Sequence, residues 1–168
     1  MTDISGFDIR FTLPEDLAYL RTWFSNEAVC NDYPFSPTEK EDALKNWIGF
    51  SRFKASLTGT MNDVPCAIGT LFLMPYRKVA HHASFYLFVD PKGRRKGIGA
   101  SMVRNLLHLA KTRFKLESLH VEVYDTSHLI PILEKLGFEV FARQENFIKI
   151  DGKGHARLLY EHFFKEEG

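Results

Sequence analysis

The chain has 168 residues, 45% of them hydrophobic and 26% charged, with a formal net charge of +1 and a sequence pI near 7.8. That length predicts a single domain over residues 1–168 with a substantial core, and the near-neutral balance supplies no overall field that would draw it to nucleic acid or an anionic membrane. No apolar run approaches the roughly 20 residues of a membrane helix and the polar start Met1-Thr2-Asp3 is no signal peptide, so a cytoplasmic protein with no membrane partner is expected.

Phe7, Ile9 and Phe11 alternate with polar residues and predict a half-buried first strand. Thr12-Leu13-Pro14-Glu15 reads as a capping box with proline in the first turn, opening a helix with Leu17, Leu20, Trp23 and Phe24 on one face. Ser36-Pro37-Thr38-Glu39 repeats the signal and leads to Leu44, Trp47 and Ile48 on a second helix, with a loop from Asn26 to Phe35 between them. Strands over 53–57 and 66–73 flank the polar turn 59–63 and predict a hairpin. The nearly all-apolar run 83–89 is expected as a central strand covered on both faces.

From Ile98 a long amphipathic run turns Met102, Val103, Leu106, Leu107 and Ala110 toward the sheet. Residues 119–124 alternate as a further strand, and a short helix over 128–136 stops at Gly137, with Phe138 as the contact of a glycine C-cap. Residues 145–150, the turn 151–154 and residues 156–163 form a closing hairpin. The order is β-α-α-β-β-β-α-β-α-β-β, a mixed α/β fold. Cys30 and Cys66 have no metal-ligand spacing, and no His/Cys cluster suggests a metal.

The most informative stretch runs from Phe85 to Ala100: an apolar strand, a basic loop with Arg94, Arg95 and Lys96, and Gly97 and Gly99 at the start of a helix. Consecutive backbone N–H groups at a helix start, next to the positive end of its dipole, form a site for a phosphate group. It is neither a Walker loop, since no Gly-Lys-Ser/Thr follows at the required spacing, nor a Rossmann fingerprint, which needs a third glycine and a following acidic residue.

The spacing Arg94-x-x-Gly97-x-Gly99 after Val89-Asp90-Pro91, together with Leu133-Glu134-Lys135-Leu136-Gly137-Phe138 and the order of elements, resembles the GCN5-related N-acetyltransferase (GNAT) family over nearly the whole chain. Arg10, Glu15-Asp16-Leu17 and Leu20-Arg21-Thr22-Trp23 resemble its branch of ribosomal-protein, amino-sugar and aminoglycoside N-acetyltransferases. The resemblance implies a GNAT-like acyl-CoA N-acyltransferase fold whose central sheet splays beside 83–89. It implies acetyl-CoA as cosubstrate, its pantetheine held by Phe88 and Val89. Its pyrophosphate would be wrapped by Arg94, Arg95, Lys96, Gly97, Ile98, Gly99 and Ala100, with Thr126 also in the cofactor site.

The implied reaction is direct attack of a primary amine, of a small molecule or a protein N-terminus, on the thioester. An alkyl amine is neutral only about once in 2,500 molecules at pH 7, so a base has roughly 4–5 kcal/mol to contribute. Here the sequence departs from the family pattern. Ser84 stands where a glutamate is common, Leu133 where a tyrosine commonly protonates the thiolate, and Thr126 where an asparagine begins the helix. If the face they share borders the splayed gap, Glu122 or His120 is a candidate substitute base through water and Tyr124 a candidate acid; the alternatives are a face covered by a helix or solvated, and a core tyrosine. His81 and His82, at the start of the central strand, read as an exposed pair, with an approach to substrate as the alternative. Asn26, Glu27, Asp32, Tyr33, Phe35, Asn146, His155 and Tyr160 are candidates for choosing the amine.

The first expectation is an acetyl-CoA-dependent N-acetyltransferase. A catalytically attenuated acyl-CoA-binding or sensing module is the alternative, motivated by Ser84, Thr126 and Leu133, and a domain for another phosphate ligand such as ATP or NAD is a third. The acceptor, the acyl-chain preference and homodimerisation through the closing hairpin stay open.

Overall fold

The computed structural model describes residues 4–94 and 96–166. Its elements follow the expected order with one helix added, α2: β1 (Phe7–Phe11), α1 (Leu17–Trp23), α2 (Glu27–Cys30), α3 (Lys40–Gly49), β2 (Ser56–Met61), β3 (Val64–Leu73), β4 (His82–Val89), α4 (Ile98–Thr112), β5 (Ser118–Tyr124), α5 (Ile130–Lys135), β6 (Glu139–Ile150) and β7 (Lys153–Phe163). The strands form one seven-stranded mixed sheet in the order β1-β2-β3-β4-β5-β7-β6. The β4–β5 pair is parallel and the other pairs are antiparallel.

Period-two alternation gives β4 and β5 two different buried faces. Ala83, Phe85, Leu87, Leu119, Val121 and Val123 pack against Met102, Val103, Leu106 and Ala110 of α4. On the opposite face, Phe88 of β4 and Ile68 of β3 pack against Leu20, Phe24, Leu44 and Trp47 from the N-terminal helices. Each fully buried Phe or Leu contributes about 1.5–3 kcal/mol of transfer free energy. Among the described residues no helix is long and apolar enough to cross a membrane.

Five local expectations need correction. The first helix is not capped by Thr12, whose hydroxyl bonds to Thr58 (2.9 Å) and Ser56 (2.8 Å). Asp16 instead reaches back to accept the Leu13 N–H at 2.9 Å. The expected loop after α1 contains the short α2, whose start is capped by the Asn26 side chain accepting from the Ala28 N–H.

Residues 50–53 form a 3-10 turn ended by Lys54 in the left-handed region, so β2 begins later than expected. The β2–β3 turn shrinks to Asn62 and Asp63, both at positive φ. The closing hairpin is longer than predicted because β6 begins at Glu139. As an edge strand it exposes most of its side chains, so it carries no buried alternation to be read. The end of α5 agrees with expectation: Gly137 has φ 88, and the Phe138 N–H donates to the Leu133 carbonyl at 2.9 Å, a Schellman closure.

Candidate active site

The site begins where two strands stop pairing. β4 and β5 pair at His82–Ser118, Ala83–Leu119 and Ser84–His120, and no further. Beyond Ser84, β4 stays in register with β3 as far as Val89–Ala67, while β5 follows β7 to Tyr124–Arg157. Each strand continues with its own antiparallel partner, and the sheet opens between them.

The open edge of β4 presents particular backbone groups. The Leu71 N–H donates to Ala55, so Leu71 faces β2, and its β4 partner Phe85 turns away from β3. By alternation Leu87 and Val89 turn away too. Their carbonyls accept from Tyr33 Oη at 3.0 Å and Arg94 Nε at 3.4 Å respectively. Tyr86 and Phe88 direct their backbone toward β3, as does Asp90, whose N–H donates to Cys66 at 2.8 Å. The carbonyls that the sheet leaves unpaired are therefore those of Leu87 and Val89, each met by a side chain of the cavity wall. Phe88, expected beside Val89, commits its backbone to the sheet and stacks its ring on Trp23.

A cavity of about 830 Å³ fills the opening. At one end lies the start of α4, where Gly97 sits at φ 82 and no side chain among the described residues caps the helix. The first helical bond runs from the Ser101 N–H to the Gly97 carbonyl at 3.1 Å, so the N–H groups of Ile98, Gly99 and Ala100 precede the helical ladder. Arg94, Gly97, Gly99 and Ala100 line the cavity. A Cβ on Gly99 would lie 3.0 Å from Ile132 Cδ1 and 3.9 Å from Val89 Cγ2, so glycine keeps this end of the cavity open. Ile98 is buried in the core and can contribute its backbone alone. Lys96 is exposed and off the lining, and the expectation for Arg95 lies outside the described residues.

Of the three expected acid–base groups, Glu122 lines the cavity and the other two do not. His120 sits at the last paired position, its ring 5.3 Å from that of His82. Burial, helped by His82, lowers its pKa and favours the neutral imidazole. Tyr124 stacks on Phe147, and its buried hydroxyl makes no hydrogen bond of good geometry among the described residues. Burial first, and then Glu122, push its pKa up. Thr126 is exposed at the end of β5 and absent from the lining, whereas its neighbours Ser127 and His128 line it. Leu133 is fully buried and provides no proton. Among the described residues no group of three or more His, Cys, Asp or Glu is placed to hold a metal ion.

Asp32 and Tyr33, from the loop after α2, close the opposite wall. Burial raises the Asp32 pKa, with His128 and Arg94 opposing it. Tyr86 joins the same wall, raised by burial and by Glu122. The role of Leu87 was missed in the sequence, although strand alternation alone would mark every second carbonyl as free. Ser127 and His128 carried no local signal.

Comparison with known proteins agrees with this architecture. The acetyltransferase (GNAT) family matches residues 17–138, while no curated protein matches the chain. Similar solved structures include a protein described as a phosphinothricin N-acetyltransferase, with 16% identity, TM-score 0.82, and coverage of 95% of this chain and 99% of the other. A Salmonella typhimurium protein described as an acetyltransferase, YncA, was solved with its cofactor acetyl-CoA; it has 17% identity, TM-score 0.77, and coverage of 97% and 96%. A ribosomal-protein-alanine N-acetyltransferase from Brucella melitensis has 18% identity, TM-score 0.78, and coverage of 94% and 99%. At such identities these likenesses show the fold. The family match spans well over half the sequence, from α1 to the end of the α5 cap, and by it this chain belongs to the acetyltransferase (GNAT) family.

Proposed function

We propose that the chain is an acetyl-CoA-dependent N-acetyltransferase that acetylates a primary amine, of a small molecule or a protein N-terminus, in a ternary complex. The observation that carries this reading is the parting of β4 from β5 after Ser84, which joins a free strand edge to an uncapped helix start in one cavity. The residues present fit acetyl-CoA. The backbone groups of Leu87 and Val89 that the sheet leaves unpaired suit the pantetheine amides once Tyr33 and Arg94 give way, and the amides of Ile98, Gly99 and Ala100, with Arg94, suit the pyrophosphate. Bound acetyl-CoA supplies an activated thioester, whose C–S bond breaks as the amine forms its C–N bond.

Glu122 lies on the same sheet face as Tyr86, at the open end of β5. Asp32 and Glu122 place two carboxylates on the lining, which draws a cationic amine inward. Glu122 takes the proton that the amine must shed, and solvent returns one to the departing thiolate. Holding a neutral amine beside the reacting centre supplies much of the remaining rate enhancement.

A second reading, an acyl-CoA-binding or sensing module, is favoured by the fully buried Leu133, which puts an apolar side chain where the family resemblance implies an acid. Calorimetric titration with acetyl-CoA, ATP and NAD, followed by a panel of amines with thiol-release detection, separates the readings. Micromolar acetyl-CoA binding with turnover of an amine is expected. Binding without turnover across the panel selects the module, and preference for ATP or NAD overturns both.

A further inference from the structure

Arg157 of β7 stands opposite Tyr124 of β5, and Leu159 stands opposite Glu122. Residues two apart on a strand share a face, and diagonal neighbours across an antiparallel pair lie within reach of a long side chain. Arg157 uses that diagonal: its Nη1 lies 3.5 Å from Glu122 Oε2, with both side chains about a quarter exposed, 27% and 26%. That contact engages one carboxylate oxygen of a residue that lines the cavity, with the Tyr124 hydroxyl as its other near neighbour.

The guanidinium is itself held from the far side. Its Nη2 donates to Gln144 Oε1 at 2.9 Å, and its central carbon sits 4.2 Å from the Phe147 ring centroid. In a regular strand, residues 144 and 147 would point to opposite faces. Here β6 shifts register between Gln144 and Ile148, with Asn146 at φ 52. The bulge turns both side chains onto one guanidinium. The cost is visible too, since among the described residues the buried Arg157 Nε has no hydrogen-bond partner. An ion pair placed for stability alone would satisfy that donor. The fork is instead turned so that Nη1 meets the carboxylate of the cavity wall.

We propose that Arg157 is a positioning residue for acetyl transfer: it holds the Glu122 carboxylate turned into the cavity, and the β6 bulge, through Gln144 and Phe147, holds Arg157. The proposal rests on reading Glu122 as the proton acceptor. The closing hairpin thereby acts on the reacting centre from outside the cavity, since Arg157, Gln144 and Phe147 are all absent from its lining.

The test is a double-mutant cycle on steady-state rates, with acetyl-CoA affinity measured by calorimetry. Arg157→Met is expected to lower kcat about tenfold or more while leaving the acetyl-CoA Kd within about twofold, and Arg157→Lys to recover part of the loss. In a Glu122→Gln background, Arg157→Met should then change kcat by less than about twofold, because the group it positions is gone. If Glu122→Gln leaves kcat unchanged, the reading of Glu122 fails and the positioning role fails with it. If Glu122→Gln lowers kcat but Arg157→Met lowers it equally in both backgrounds, the base stands and the positioning role is overturned. Should Arg157→Met not fold, the exposed bulge provides a second route. Gln144→Leu with Phe147→Leu is expected to lower kcat several-fold with an unchanged acetyl-CoA Kd, and an unchanged kcat overturns the proposal.

Discussion

Tyr33 donates a hydrogen bond to the Leu87 carbonyl at 3.0 Å across the mouth of the cavity, joining the loop after α2 to the open edge of β4. The ring is packed among Phe24, Phe35, Trp47 and Tyr86. Removing the hydroxyl keeps that packing and loosens the tie. Tyr33→Phe should cost about 1 kcal/mol and lower Tm by about 2–4 °C for a chain of this size. Because the same loop carries Asp32, the KM for the amine should rise more than the Kd for acetyl-CoA. Calorimetry and paired rate measurements check this, and an unchanged Tm and KM would show that the bond is idle.

Alkaline pH probes the same wall. Burial pushes the Tyr33 hydroxyl well above the ordinary tyrosine range, with Asp32 adding to it, and burial and Glu122 do the same to Tyr124. Both raised values mean that the folded state holds protons the unfolded chain releases near pH 10. Their contribution is complete below about pH 10 and is lost as pH rises above it. Urea unfolding between pH 9 and 11.5 should show stability falling, with a shallower fall in Tyr33→Phe and Tyr124→Phe. Equal slopes in parent and variants would contradict the assignment.

Asp16 anchors a polar chain beneath β1 and β2. It accepts from Arg10 at 2.7 and 2.9 Å, from the Leu13 N–H at 2.9 Å and from Thr58 at 2.9 Å. Since Thr58 donates to Asp16 and Ser56 donates to Thr12, the hydroxyls run in one direction: Thr70 to Ser56, Ser56 to Thr12, Thr12 to Thr58, Thr58 to the carboxylate. Burial pulls the Asp16 carboxyl up, but Arg10, the Leu13 N–H and Thr58 outweigh it and leave it lowered. A lowered carboxylate stabilises the fold above the unfolded value near 4, and that contribution is lost as pH falls below it. Asp16→Ala should cost about 1–3 kcal/mol at pH 7, mainly by stranding the buried Thr58 hydroxyl while the partly exposed Arg10 guanidinium stays hydrated, and the penalty should shrink at pH 3. Denaturation at the two pH values decides; a penalty independent of pH would exclude the charge as its source.

The sequence was legible where a few adjacent residues settle the structure. Gly137 and Phe138 close α5 by a local rule, and Gly97-x-Gly99 marks the α4 start for the same reason. Alternation placed His120, Glu122 and Tyr124 on one face, but which of them reaches the cavity depends on distant partners. Ser84 still pairs with His120, and Phe147, delivered by the β6 bulge, covers Tyr124. Thr12 followed the local capping rule on paper and lost it to Thr58 and Ser56, more than forty positions away. Arg157 had no motif, because its partners come from two other strands.

Gly99 separates the needs of the helix from those of the ligand. It is the second residue of α4 and lines the cavity, and a Cβ there would press on the flexible end of Ile132 and touch Val89 at ordinary contact distance. An acidic side chain there is favourable for the helix, by about 0.3–1 kcal/mol, because it faces the positive end of the dipole. The same charge would stand where a pyrophosphate is expected, repelling it and occupying its amides. Gly99→Asp should therefore keep Tm at or above the parent value while raising the Kd for acetyl-CoA by about tenfold or more. Gly99→Ala, which adds bulk without charge, should weaken binding less. If Gly99→Asp binds acetyl-CoA as tightly as the parent, the phosphates do not rest on the α4 amides, and the cofactor enters the opening between β4 and β5 from another side.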